Sequence, residues 1–335
     1  MRHAYLASGL MVLLSLLPLA TRAYEVEQDV TFEGGGATLL SIISTTDTDV
    51  FAPIVRAFQA LNPGMDVRYV TAATTQVHKA IEAGAPFDLA ISSAMDLQMK
   101  LANDGLALSA PGTPGWPALA RWRDEVWGFA QEPVVTGIAP GAFAGQPPRT
   151  RSDLIAALRD APDRFRGRVG TYDPGRSGAG YLFATQDARQ SETSWRLAEV
   201  MGGLHPRLYA STGAMLADLA SGDLLLAYNI LGSYAAAEGT QVLEMLDYTH
   251  ILLRTALVPR SSSNPDLGRA FLTFLLSPAG QTAVAEAGLP PIDETALARA
   301  PHLRPIRLDT GLLVHVDPLV RGRFLREWTN AVRQP

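Results

Sequence analysis

The chain has 335 residues, which is enough for two domains of ordinary size, and its 47% hydrophobic and 18% charged residues exclude a disordered protein. It contains no Cys, which excludes disulfide frameworks, zinc ribbons, iron–sulfur ligation and thiol nucleophiles. The formal net charge of −5 disfavours nucleic acid as a partner, because phosphate backbones attract basic surfaces.

The first 23 residues have the pattern of a secretory signal peptide. Arg2 and His3 form a short basic start, residues 6–19 form an apolar run, and residues 21–23 form a small-residue cleavage site. We therefore expect an exported protein in the periplasm whose mature chain begins near Tyr24. Without Arg2 and Arg22, that chain has 26 basic and 33 acidic residues and a formal charge of −7.

Strands and helices alternate along the next 80 residues. The apolar run at residues 39–44 predicts a strand, the helical spacing of apolar residues at 50–61 predicts a helix, and the alternation at 65–69 predicts a second strand. A helix at 75–83, a buried strand at 87–91 and a helix that ends near residue 105 follow. This order predicts a parallel sheet with helices on its faces.

Polar side chains follow two of these strands at their carboxyl ends. In open α/β sheets, ligands bind beyond those ends, so the side chains are candidate ligand groups. Asp47 has two possible roles, because it could cap the following helix or face an amine of the ligand. The candidates in this region are Ser44, Thr45, Thr46, Asp47, Ser92 and Ser93.

The second part of the chain repeats the alternation. The change of composition at residues 111–135 indicates a crossing between domains. Residues 168–171 predict a strand, 173–180 a Gly-rich turn, 181–188 a helix, and 224–227 a strand that ends in Tyr228-Asn229. A return strand at 251–258 and a helix at 265–276 complete the pattern, which predicts two α/β lobes joined by at least two crossings.

Four segments resemble one family along nearly the whole mature chain. They are PFDLAISSAMDLQMKLANDG (86–105), GRSGAGYLFA (175–184), SGDLLLAYNILGSY (221–234) and AFLTFLLSPAGQ (270–281). The sequence resembles type II periplasmic solute-binding proteins of bacterial ABC importers, most of all the ferric-iron and phosphonate receptor branch.

The resemblance implies a two-lobe, Venus-flytrap α/β fold that closes on a ligand without catalysis or a cofactor. We expect the first lobe at residues 38–129 plus 252–288, and the second at 130–251 plus 289–335. The expected protein is a monomer that delivers a small anionic ligand to the membrane subunits of an importer.

In the ferric branch, an anion lies on a Ser-Gly-Ala turn at the start of a helix, and this pattern falls on residues 177–179. Independently, the unpaired N–H groups and the dipole of a helix start favour an anion, and Gly allows close approach. The resemblance also matches a family asparagine to Asn229. The ligand would be a phosphonate, phosphate or carboxylate, and the candidates here are Arg176, Ser177, Gly178, Ala179, Gly180 and Asn229.

Three other functions remain open. The ferric branch binds iron with two adjacent tyrosines, whereas the corresponding stretch of this chain, residues 228–234, has tyrosines only at Tyr228 and Tyr234. Iron could still be held by these two residues and Asp47. Otherwise no metal is expected. A receptor of this fold could also signal to a membrane histidine kinase. Finally, residues 175–179 approach the nucleophile elbow of serine hydrolases, with Ser177 as nucleophile and His302 or His315 as base.

Overall fold

A computed structural model describes residues 24–334, so the predicted signal peptide lies outside the described residues. The strands of the first part are β1 (Gln28–Phe32), β2 (Thr38–Ser44), β3 (Met65–Thr71), β4 (Leu89–Ser92), β5 (Ala107–Leu108), β6 (Arg121–Trp122) and β7 (Val126–Ile138). Those of the second part are β8 (Val169–Tyr172), β9 (Arg207–Tyr209), β10 (Leu226–Leu231), β11 (Gln241–Leu243), β12 (Thr249–Pro259) and β13 (Leu303–Pro305).

The helices alternate with these strands. The first seven are α1 (Thr48–Leu61), α2 (Thr74–Glu82), α3 (Met95–Asn103), α4 (Arg151–Asp160), α5 (Pro162–Phe165), α6 (Gly178–Gln190) and α7 (Thr193–Gly203). The others are α8 (Thr212–Ser221), α9 (Gly232–Ala237), α10 (Pro265–Leu275), α11 (Pro278–Glu286), α12 (Glu294–Arg299) and α13 (Pro318–Val332). Short 3-10 segments lie at Ala118–Ala120 and Thr310–Val314. Within residues 24–334, no helix is long and apolar enough to cross a bilayer.

The strands follow one another in the order β1-β3-β2-β4-β12-β7-β10-β8-β9. Strands β2, β3 and β4 are parallel, as their alternation with helices predicted. Strand β1 runs antiparallel to β3, and β12 runs antiparallel to both β4 and β7. The second half of the order holds β8, β9 and β10, where β8 is parallel to both of the others. The predicted two-lobe α/β fold is confirmed, with β1–β4 in the first lobe and β8–β10 in the second.

Two long strands connect the lobes. The first half of β7 pairs with β12, and its second half pairs with β10, so β7 runs from one lobe into the other. Strand β12 pairs with β4 of the first lobe through residues 255–257, and its earlier residues pair with β7. The two lobes are therefore joined along β7 and β12 by extended, hydrogen-bonded strands.

Helical spacing in α1 reflects packing onto the first-lobe sheet. Phe51, Ile54, Val55 and Phe58 are fully or almost fully buried. The ring of Phe51 stacks on Tyr69 of β3 with 5.0 Å between centroids. Aromatic contacts of this kind add to the free energy gained by burying apolar surface. This packing fixes the position of the loop that precedes α1, which is part of the site described below.

Strand β10 corrects a sequence prediction. It was expected to end in Tyr228-Asn229, but it continues to Leu231, and its register with β7 shifts between Ala227 and Ile230. Asn229 has φ of 63°, the left-handed conformation that Asn tolerates better than most residues, so the irregularity is a β-bulge. Both residues are therefore inside a strand and buried.

The bulge directs Tyr228 and Asn229 into a buried ionic network in the second lobe. Asp187 accepts hydrogen bonds from the Tyr228 hydroxyl (2.9 Å) and the Asn229 amide (2.7 Å). Arg151 donates to the Tyr228 oxygen at 2.7 Å, and His250 Nε2 lies 3.2 Å from Asp187 Oδ1. Burial alone would raise the pKa of Asp187, but Arg151, His250 and Asn229 lower it to about 2.

This network predicts acid sensitivity. Because the pKa of Asp187 is lower in the folded state than the usual value near 4, its contribution is complete above about pH 4 and is lost as the pH falls towards 2. We expect Asp187→Asn to lower the free energy of unfolding at pH 7 by about 3 kcal/mol and to flatten the dependence on pH between 4 and 2. Chemical denaturation at each pH measures both quantities. Asp266→Asn, which removes an exposed ion pair with Arg269, should change stability by less than about 1 kcal/mol; an equal effect of the two variants would contradict the network's role.

Candidate functional site

A cavity of about 300 Å³ lies between the lobes, at the carboxyl ends of the first-lobe strands. This is the size of a small-molecule site. Its first-lobe side is formed by Glu27, Thr45, Asp47, Ala72, Ala73, Thr74 and Ser93, and its second-lobe side by Tyr172, Ser177, Ala179, Ala210, Ser211, Thr212, Gly213, Leu231 and Tyr234. We call this cavity the cleft.

Helix starts converge on the cleft. Helices α6 and α8 of the second lobe begin there, as do α1 and α2 of the first. The Ser177 hydroxyl caps α6 by accepting from Gly180 N–H at 3.1 Å, and Ser211 caps α8 through Ala214 N–H at 3.3 Å. Ala179 N–H and Gly213 N–H have no hydrogen-bond partner within the described residues. The second-lobe side of the cleft therefore presents free donors and the positive ends of helix dipoles.

The mouth of the cleft has the opposite character. Glu27 and Asp47 are exposed there, and neither carboxylate has a hydrogen bond or ion pair with another described residue. Partial burial and the nearby charge of Asp47 raise the pKa of Glu27, which shows that the two acids interact. Among the described residues that line the cleft, none is Lys or Arg. An anion bound here would rely on backbone and hydroxyl donors.

A buried ion pair lies below the cleft, on the two connecting strands. Arg254 of β12 donates to Glu132 of β7 at 3.0 and 2.8 Å, and both side chains are 1% exposed. Arg254 also donates to Thr46 Oγ1 at 2.7 Å, and its guanidinium lies 5.5 Å from the ring centroid of Tyr234. Burial opposes the charge of Arg254, but Glu132 keeps the pKa of Arg254 above its usual value, so the guanidinium remains charged. The carboxylate of Glu132 thus neutralises the positive charge of Arg254, which lies below the cleft.

Two direct hydrogen bonds join the lobes across the cleft. Gly178 N–H of the second lobe donates to Thr74 Oγ1 of the first at 2.8 Å. Asp47 N–H donates to the Tyr234 hydroxyl at 3.3 Å. Burial raises the pKa of Tyr234, so its hydroxyl remains protonated and available as donor or acceptor. The lobes are thus in contact, and the cleft is in a closed arrangement.

Six of the candidate residues predicted from sequence line the cleft together: Thr45, Asp47, Ser93, Ser177, Ala179 and Tyr234. Thr45 and Ser93 contact each other through their hydroxyls at 3.4 Å. Asp47 is the N-cap residue of α1 but makes no side-chain capping hydrogen bond, so its carboxylate is free for a ligand. The structure thus places these six residues around one cavity; whether they bind a ligand remains a prediction.

Other candidates near the strand ends are occupied by structural contacts. The Ser44 hydroxyl accepts from Thr46 N–H, and the Ser92 hydroxyl accepts from the N–H of Ala94, the N-cap residue of α3. Thr46 accepts from Arg254. The N–H groups of Gly178 and Gly180 donate to Thr74 and Ser177. Ser44, Thr46 and Ser92 are buried and do not line the cleft, and their hydroxyls accept hydrogen bonds from the protein.

Three further candidates lie away from the cleft. Arg176 is exposed at the tip of its turn and does not line the cavity, because the turn points it into solvent. Tyr228 and Asn229 belong to the Asp187 network, since the bulge in β10 directs them into the second lobe. The iron set of Asp47, Tyr228 and Tyr234 is therefore not assembled. In residues 24–334, no group of three His, Asp or Glu side chains is arranged to hold a metal ion.

The hydrolase arrangement is not assembled either. Ser177 is the N-cap of α6, with its hydroxyl on Gly180 N–H. His302 Nε2 lies 3.1 Å from Glu244, and the ring of His315 packs against Phe324. Neither histidine lines the cleft, so the described residues do not give Ser177 a base.

Sequence reasoning missed several residues of the cleft. Glu27 comes from the segment before β1, where no pattern pointed to a site. Thr74 and the helix start at Ser211, Thr212 and Gly213 were also missed. Ser-Thr-Gly before an apolar helical run is a capping signal, so this second helix start was detectable in principle.

Comparisons with known proteins agree with this architecture. Residues 39–289 match the family model described as bacterial extracellular solute-binding protein. The substrate binding protein of an ABC transporter from Agrobacterium tumefaciens is 33% identical, with a TM-score of 0.87, over 92% of this chain and 99% of that one. Among curated protein sequences, none matches significantly.

More distant structures share the fold alone. Iron-bound HitA from Pseudomonas aeruginosa is 18% identical with a TM-score of 0.66, over 88% of this chain and 99% of that one. AfuA from Actinobacillus pleuropneumoniae, solved with fructose-6-phosphate bound, is 16% identical with a TM-score of 0.68, over 90% of this chain and 100% of that one.

The contact at Gly178 predicts a variant with separated lobes. A Cβ at Gly178 would lie 2.9 Å from both Thr74 Oγ1 and Leu97 Cδ1 of the first lobe. We expect Gly178→Ala to hold the lobes apart and to increase the radius of gyration measured by small-angle X-ray scattering. Gly145→Ala, where a Cβ meets open space, is the control. Superimposable scattering curves for wild type and Gly178→Ala would show that the contact does not hold the lobes together.

Proposed function

The chain belongs to the bacterial extracellular solute-binding proteins, and we propose that it binds a small zwitterionic solute, with an oxyanion group and an amine, for an ABC importer. The observation that carries the proposal is the polarity of the cleft. Free N–H groups at two helix starts lie on its second-lobe side, and two unpaired carboxylates lie at its mouth.

The oxyanion would lie against α6 and α8. Ala179 N–H and Gly213 N–H are free donors, and the dipoles of both helices favour negative charge at these positions. The hydroxyls of Thr45 and Ser93 face the same cavity from the first lobe. Phosphonate, phosphate and carboxylate groups all accept hydrogen bonds of this kind.

The amine would lie at Glu27 and Asp47. Partial burial and the charge of Asp47 raise the pKa of Glu27, and a cationic group between the two acids would offset both effects. A bare dianion would meet these carboxylates without any lining Lys or Arg to offset them. The carboxylates thus favour a solute that brings its own positive charge.

The transport role follows from the family and from the closed cleft. We place the protein in the periplasm, where its closed form would deliver the solute to the membrane subunits of an importer. The lobes would be residues 38–129 plus 252–288, and 130–251 plus 289–335. The role requires no chemistry on the solute, which accords with the structural role of the Ser177 hydroxyl. Solute uptake and transcription in a deletion strain would separate an importer subunit from a partner of a sensor kinase.

A set of matched probes tests the solute class. We expect 2-aminoethylphosphonate to raise the melting temperature more than ethylphosphonate, which lacks the amine, and more than ethanolamine, which lacks the anion. Isothermal titration calorimetry should show that Asp47→Asn weakens binding of 2-aminoethylphosphonate about tenfold to 100-fold, the effect of losing a charge-assisted hydrogen bond, and strengthens binding of ethylphosphonate, because a carboxylate that repels the anion is removed.

Glu286→Gln is the control for this substitution, because Glu286 is an exposed acid that lines neither the cleft nor its mouth. Equal affinity for 2-aminoethylphosphonate and ethylphosphonate would contradict the zwitterion. Native mass spectrometry of the freshly purified protein provides a second test, since a bound iron mass would favour the ferric function instead.

A further inference from the structure

A second cavity lies between the lobes, separate from the cleft. It has a volume of about 260 Å³ and is lined by residues of α2 and α3 on one side, and by Gly178, Tyr181, Val316 and Arg321 on the other. The hydrogen bond between Gly178 and Thr74 lies between the two cavities, because Thr74 lines the cleft and Gly178 lines the second cavity.

Asp96 is an unpaired acid in the wall of this second cavity. Its side chain is 1% exposed, and neither carboxylate oxygen has a hydrogen-bond partner in the described residues. The start of α6 lies against this part of α3, since a Cβ at Gly178 would lie 2.9 Å from Leu97, which follows Asp96, and 3.2 Å from Ala94, the N-cap residue of α3. Burial without a partner is costly for a charged carboxylate.

Several charged or titratable groups surround Asp96 from each packed element, but none is paired with it. Arg321 of α13 has its guanidinium 4.4 Å from the ring centroid of Tyr181 and forms no ion pair with Asp96. Lys100 pairs with Asp104. The groups that line the cavity with Asp96 are His78, Lys79, Glu82, Lys100, Tyr181 and Arg321.

We propose that Asp96 takes up a proton when the lobes close, so that an acidic pH favours the closed form and with it solute binding. This rests on the proposed function in one respect, that the lobes open and close around a solute. In the open form, α6 moves away from the first turn of α3, and water hydrates the carboxylate. In the closed form, only the protonated acid is free of the cost of burying a charge.

The expected dependence on pH follows from linkage. Burial raises the pKa of Asp96 to about 7 in the closed form, although the nearby helix-start N–H groups and Arg321 offset part of the increase. A hydrated aspartate in the open form has a pKa near 4. The free-energy cost of burying the charged Asp96 when the lobes close is therefore fully present above pH 7, and it decreases as the pH falls from 7 towards 4. We expect the ratio of closed to open molecules to rise about 100-fold from pH 8 to pH 5.

Distance measurements on the ligand-free protein test the proposal. Since the chain has no native Cys, Ala60→Cys on α1 and Ala237→Cys on α9 allow specific spin labelling of one exposed site in each lobe. Double electron–electron resonance should show a shorter distance increasing in population as the pH falls. In Asp96→Asn, which mimics the protonated acid, the short distance should dominate at every pH.

Matched variants identify the responsible group. Glu82→Gln changes an exposed acid at the same cavity and should leave the dependence on pH unchanged. Arg321→Met removes the nearby cation and should move the midpoint to higher pH. A dependence that persists in Asp96→Asn, or that disappears in His78→Gln instead, would overturn the proposal. Melting curves confirm that each variant folds.

The outcomes are distinguishable from failure of the proposed function. A distance distribution independent of pH in a protein that binds 2-aminoethylphosphonate would overturn only the role of Asp96. A distribution that shifts with pH in a protein that binds none of the zwitterionic probes would support Asp96 and count against the proposed solute.

Discussion

The buried ion pair between Arg254 and Glu132 is the contact on which the relation between the lobes depends. It joins the two long strands at the point where the chain passes from one lobe to the other, and a further hydrogen bond from the guanidinium holds Thr46, just after the end of β2. Removing one partner of such a pair leaves an uncompensated buried charge, at a cost of about 3–5 kcal/mol. The loop that carries Thr45 and Asp47 is therefore attached to the two connecting strands, β7 and β12. A change in the geometry of these strands would also change the geometry of the cleft.

In the proposed function, recognition in the cleft would depend mainly on backbone groups. The free donors at Ala179 and Gly213 are peptide N–H groups whose position is set by the starts of α6 and α8, and the capping serines are already engaged in those helix starts. Side chains contribute chiefly at the mouth, through Glu27 and Asp47. On this proposal, the helix starts would bind the anionic group, while the side chains at the mouth would set which counter-charge a solute must carry.

The fold was largely predictable because hydrophobic periodicity reports burial. The spacing of Phe51, Ile54 and Phe58 predicted α1, and it is these residues that pack on the sheet. Part of the candidate site was also predictable, because the carboxyl ends of parallel strands and the starts of the following helices lie together at one edge of the sheet. What could not be predicted was the use of each hydroxyl: Thr46 is engaged by Arg254, 208 residues later in the chain. The bulge at Asn229 was also undetectable, because one left-handed residue leaves no periodic signal.

The Thr74–Gly178 hydrogen bond has a consequence for molecular size. It divides the space between the lobes into one compartment of about 300 Å³ and another of about 260 Å³. A solute with a long chain, such as a peptide or an oligosaccharide, could occupy both compartments only by preventing this bond from forming, and would hold the lobes ajar. If the protein binds its solute in the cleft as proposed, this bond would limit the length of the solute, and the closed protein would enclose only molecules that fit one compartment.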